Sequence, residues 1–152
     1  MKLETAKRIY TDGPDWLKVE LEDEFGKENL VEKDFKSIKT LKDAANSVGY
    51  PIEFIANQEN ETTDEWAYRM LKMVTKAING IWAADWANTS QPKYYNYFGV
   101  HPSGVGFSIS DANYSYEYTY VGSRLCFESI EKAKFARTQF EDLYVKYLLI
   151  TK

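Results

Sequence analysis

One cysteine, Cys126, and one histidine, His101, are all this chain of 152 residues has of the two side chains most used in nucleophilic and metal chemistry. A lone cysteine excludes an intrachain disulfide framework and fits a reducing compartment. One His with one Cys cannot build the usual four-ligand zinc site in one chain. A Ser-His-Asp or Cys-His arrangement would have to pass through His101. That residue precedes Pro102 in GVHPSGVG, a turn pattern, and reads as a surface loop residue. Cys126 stands in the apolar stretch RLCF and reads as a small buried hydrophobe. No G-x-x-x-x-G-K-[ST] and no helix-opening G-x-G-x-x-G is present, and GVGF at 104–107 is too short for either. No apolar run approaches the ~20 residues of a membrane helix, and MKLETAKRIY lacks the apolar core of a signal peptide. Basic charge is also missing. The net charge is -4, and the lysines alternate with acids, so the stripe of a general nucleic-acid binder is absent. The expectation is a soluble cytoplasmic protein with no catalytic constellation, no metal, no cofactor, no membrane contact and no broad nucleic-acid binding.

Aromatic residues, by contrast, reach 16%, with 12 Tyr, 8 Phe and 4 Trp. Periodicity predicts helices over 14–25, 40–49 and 63–79, the last capped by Thr63 or Asp64, and over 129–150. Their apolar stripes include Trp66, Met70, Leu71, Val74 and Ile78, then Ala133, Ala136, Phe140, Leu143, Tyr144 and Tyr147. Between the last two helices lie short β-rich runs at 94–100, 104–110, 114–121 and 124–127, bounded by turn residues. The predicted fold is α+β, an antiparallel meander of three or four strands over 94–127 packed by helices, one of them a long C-terminal helix. A single domain over 1–152 is expected, with 1–35 as a peripheral extension. The core is expected to include Trp66, Met70, Val74, Phe107, Ile109, Leu125, Phe127, Phe140 and Leu143.

Tyr114, Tyr116, Tyr118 and Tyr120 alternate with Ser115, Glu117 and Thr119. On a strand they share one face. Glu117 suits a helix-covered face poorly, so the tyrosines are expected to point toward the helices. They exceed what one small core absorbs dry, which leaves some rings for solvent, a ligand or a two-fold dimer interface.

Three blocks carry a resemblance: DWANTSQPKYYNYF (85–98, containing KYYNYF), VGSRLCF (121–127) and KFARTQFEDLY (134–144, containing QFEDLY). In this order they resemble a family of short, uncharacterised proteins of phages and prophages of gut Bacteroidetes. The resemblance spans about residues 36–150. The family's aromatic strand reads Lys-Tyr-Tyr-Pro-Trp-Phe, where this chain has Asn96 and Tyr97. The resemblance implies a phage context, in the host cytoplasm, and an α+β fold, but no reaction.

Arg124 follows Gly122-Ser123 and can hold a phosphate or carboxylate in bidentate fashion, or form a salt bridge to Glu141 or Asp142. The candidate ligand-binding residues are Trp86, Lys93, Tyr94, Tyr95, Ser123 and Arg124, around a small anionic planar ligand such as a nucleotide. The leading expectation is a non-enzymatic accessory protein that sequesters a nucleotide-derived signal of host defence. The alternatives are a virion-associated or protein-interaction role for the aromatic face, and a small hydrolase using carboxylates such as Glu59, Glu61, Asp64 and Glu65. Asp85, between Trp82 and Trp86, reads as a cap or turn residue.

Overall fold

The computed structural model describes residues 1–31 and 34–150, the side chain of Glu4 excepted. Its described residues form seven α-helices and one two-stranded antiparallel sheet, an α+β architecture. Contacts divide the chain into two compact units, Met1–Asp34 and Phe35–Lys152.

The first unit holds α1 (Leu3–Asp12), α2 (Asp15–Phe25) and the single turn α3 (Lys27–Leu30). Pro14 and Asp15 open α2, and Gly26, at φ 79°, ends it, as the sequence predicts. Ala6, Leu21 and Leu30 are buried together, with Ile9, Tyr10, Leu17 and Phe25 packed around them. The Tyr10 hydroxyl donates to Glu22. Trp16 and Val19, on the same helix as Leu21, are exposed.

In the second unit, α4 (Leu41–Val48) and α5 (Thr63–Asn79) both start with capping boxes. The cap of α5 is Thr62, one residue before the expected position. A capping box needs a side chain three residues on that can return the bond. Glu65 does this for Thr62, accepting its N–H at 2.8 Å, whereas Thr63 would face Trp66. The expected stripe is buried: Met70, Leu71, Val74 and Ile78 lie in the core, with half-buried Trp66 against them.

The helix expected over 129–150 is two helices, α6 (Ile130–Gln139) and α7 (Glu141–Leu148). Phe140 separates them at φ -123°, ψ 32°. Its ring stays in the core, and Glu141 and Asp142 supply acids to the first turn of α7, where negative charge is favoured.

The expected meander of three or four strands does not form. Among the described residues one hairpin, β1 (Lys93–Val100) with β2 (Phe107–Ser115), makes the sheet, and only an isolated pairing of Tyr94 with Phe127 extends it. Gly104 and Gly106, both at positive φ, form the hairpin turn. The Asp111-Ala112-Asn113 step is continuous strand rather than a turn. Asp111 Oδ1 accepts the Ala112 N–H and Asn113 Oδ1 accepts the Tyr114 N–H, each at 2.8 Å. Tyr94 exchanges both backbone bonds with Phe127, so it points away from β2. By the antiparallel alternation its partner Tyr114, and Ala112 two residues away, point those N–H groups away from β1. Two side chains thus satisfy donors on the free edge of β2.

Tyr94 and Phe98 pack on the helical core, and Asn96, between them on the same face, is buried. A bulge at Gly99/Val100 reverses the alternation in β2. Phe107 therefore turns inward to stack on Phe98 at 4.3 Å. Ile109, expected in the core, is 62% exposed.

Candidate functional site

The tyrosine ladder does not line the helices. Its chain leaves the sheet after Ser115, whose Oγ accepts the Tyr118 N–H at 2.9 Å, and crosses as a strap over residues 116–121. Tyr114, Tyr116, Tyr118 and Tyr120 are all exposed, the last two by 66%. Once off the sheet, nothing keeps the two-residue alternation on a buried face. The rings touch one another instead. Tyr94, Tyr114 and Tyr116 form one series, with centroids 5.5 and 5.6 Å apart. Tyr95, Tyr120 and Tyr118 form a second, at 5.0 and 6.5 Å. These separations suit offset and edge contacts. Burial, with Tyr120 and Tyr97 nearby, raises the pKa of the Tyr95 hydroxyl and keeps it neutral.

Lys93 shares the strand parity of Tyr95, and so the face of the second series, not of the first. It is 1% exposed, and its ammonium donates to the carbonyls of Asn88 at 2.8 Å and of Gln91 and Tyr116 at 3.0 Å. The ammonium also sits 5.1 Å from the Trp86 ring centroid, within cation–π range. All three of its N–H groups are used internally. Trp86 is half-buried, and its indole N–H has no hydrogen-bond partner among the described residues. The loop carrying Trp86 is self-capped. Asp85 accepts the Ala87 N–H at 3.0 Å, Asn88 accepts that of Ser90 at 2.9 Å, and Gln91 Oε1 accepts that of Asp85 at 2.7 Å. Asp85 is therefore a turn residue.

Ser123 and Arg124 occupy a short 3₁₀ turn after Gly122, which takes φ 86°. Both are exposed. Among the described residues Arg124 forms neither an ion pair nor a side-chain hydrogen bond, so the anticipated bridge to Glu141 or Asp142 is not made. Of the six candidate residues, the fold joins Trp86 to Lys93 and gives Tyr94 and Tyr95 to separate ring series. Ser123 and Arg124 sit just beyond the end of the strap.

Several of the other groups considered for chemistry have local structural roles. His101, exposed in the hairpin turn, has Nδ1 2.7 Å from Ser103 Oγ. Burial pushes the Cys126 thiol up to about 11, so it is not a thiolate at neutral pH. Glu61 is paired with Arg69, at 2.7 and 2.8 Å, and Glu65 is in the cap of α5. Among the described residues no group of three His, Cys, Asp or Glu side chains is placed to hold a metal ion. None of the helices described is long and apolar enough to cross a membrane.

Two buried amides escaped the sequence reading. Asn79, at the end of α5, donates to the Cys126 carbonyl at 2.8 Å and accepts the Glu128 N–H at 3.2 Å. Its side chain imitates a peptide group and holds the VGSRLCF block in place. Asn96 donates to the Ala133 carbonyl at 2.9 Å and to the Tyr144 hydroxyl at 3.2 Å, tying β1 to α6 and α7. The only sequence signal was its position: a polar residue with the inward parity of Tyr94 and Phe98.

No protein family, curated protein or solved structure matches this chain.

Proposed function

We propose that this is a non-enzymatic binding protein whose contact surface is the tyrosine strap with Arg124. The observation that carries the reading is the run of exposed rings at Tyr114, Tyr116, Tyr118 and Tyr120, ending four residues before an exposed arginine that no carboxylate neutralises among the described residues. Rings held against one another lose little freedom when a flat ligand lands on them. Stacking on such a ring is worth ~1–3 kcal/mol per base in nucleic-acid binders. A guanidinium adds charge-assisted, directional bonds to phosphate. The ligand class is accordingly planar and anionic. In the phage setting implied by the resemblance, the role is sequestration of a nucleotide-derived signal of host defence. Ser123 and Tyr95 complete the surface, while Trp86 and Lys93 support it from within.

Calorimetry against cyclic dinucleotides and ADP-ribose derivatives tests this. Binding below ~10 µM that Arg124→Ala weakens at least ~10-fold is expected, since each tenfold is about 1.4 kcal/mol. Equal binding by that variant, or none by the parent, refutes it.

The exposed apolar residues Tyr97, Val100, Val105 and Ile109 favour a second reading. In it the hairpin and strap form a two-fold assembly interface. Light scattering that gives a monomer at high micromolar concentration would exclude that reading.

A further inference from the structure

Lys93 is a cation buried at 1% exposure whose hydrogen bonds go to three backbone carbonyls. Two of the carbonyls, of Asn88 and Gln91, belong to the loop before β1. The third, of Tyr116, is the first residue of the strap, 23 positions away in sequence. Lysine is the one side chain with three N–H donors on a single atom. It can therefore gather three acceptors around one point, whereas arginine spreads its donors over three nitrogens in a flat fork. A neutral replacement would leave three carbonyls without the donor that draws them together, and they would find others by letting the segments move out. The Trp86 face closes the remaining side of the ammonium.

From this geometry we infer that Lys93 is the positioning residue of the aromatic surface. Its ammonium pins the strap and the Trp86 loop to β1, and so brings Tyr120 onto Tyr95. The inference deepens the binding reading by naming what shapes that surface, yet no ligand enters its test.

The experiment is amide hydrogen exchange on the ligand-free protein, comparing the parent with Lys93→Ala. The atoms removed by that substitution correspond to n-propylammonium, which is added back, with 1-propanol as the neutral control. Residues 85–92 and 114–121 are expected to exchange about tenfold faster in the variant, while α5 stays within about twofold. Propylammonium should slow them again and propanol should not. Lys93→Arg should behave like the alanine variant. The assignment is overturned if the strap exchanges at the parent rate, if strap and α5 accelerate together, or if propanol rescues as well as the amine. A variant that folds only with propylammonium supports it, and one that does not fold even then overturns it. Loosening of the strap with no nucleotide bound by the parent would refute the ligand reading alone.

Discussion

Tyr144 and Tyr118 are the same side chain under opposite conditions. Tyr144, on α7, is 4% exposed, and burial pushes its hydroxyl up to about 12, against a weaker opposing hydrogen bond from Asn96. Its ring packs on Phe98 at 4.9 Å. Tyr118 is 66% exposed and touches Tyr120 alone among the rings. Removing Tyr144 would empty a filled space and take one of two acceptors from the Asn96 amide, whereas removing Tyr118 would expose almost nothing new. The helical core and the strap therefore hold similar aromatic residues for different reasons. In one, burial stabilises the fold; in the other, the rings are available to something outside the chain.

The largest effect of a single substitution is expected in the core. Phe140→Ala removes a ring that is 6% exposed and should cost roughly 3–5 kcal/mol, read as a drop in denaturation midpoint. A midpoint within error of the parent would mean that Phe140 is not docked in the core.

The intermediate case is the clamp between Glu61 and Arg69, whose side chains are both largely shielded. Arg69 also donates to the carbonyls of Phe54 and Ala56. Its hydrogen bonds are the main reason the Glu61 carboxyl is held down at about 2, with the Gln58 N–H adding to them. A carboxyl with a lowered folded-state pKa stabilises the fold fully above its ordinary value of 4.5. That contribution is lost as the pH falls from about 4.5 to 2. Melting temperatures of the parent should therefore fall more steeply over this window than those of Glu61→Gln. Parallel curves for the two proteins would show that the pair does not contribute.

The smallest effect belongs to the strap. Tyr118→Ala should change stability by less than about 0.5 kcal/mol. A cost of several times that, measured in the same denaturant titration as Phe140→Ala, would erase the contrast and place the strap in the core.

The helices were legible because two independent signals agreed. In α4 and α5 the 3.6-residue stripe and the capping chemistry point to the same boundaries to within a residue. The break at Phe140 was illegible for the opposite reason. Its phenyl ring belongs to the buried stripe, so periodicity runs through the residue where the backbone departs from helix. In β2, Asp111 and Asn113 were read as turn residues, a propensity that comes from their bonding to nearby backbone. Here they exercise it on the strand's own edge. The strap kept the two-residue spacing of a strand after the sheet had ended, and pattern cannot show where pairing stops. Of the candidate site, the residue types were readable and their roles were not. Lys93 was expected to bind an anionic ligand, because nothing in sequence marks three distant carbonyls as its partners.

The side-chain covers on β2 bear on how the protein behaves when concentrated. An open strand edge is a template on which further chains can add without limit. With the Ala112 and Tyr114 donors already occupied, β2 offers an incoming strand carbonyls but few free N–H groups. Association through tyrosine rings ends when the rings are covered, while association through an open ladder creates a new edge at every step. Asp111 and Asn113 thus work against edge-to-edge addition at β2, the route that leads to fibres.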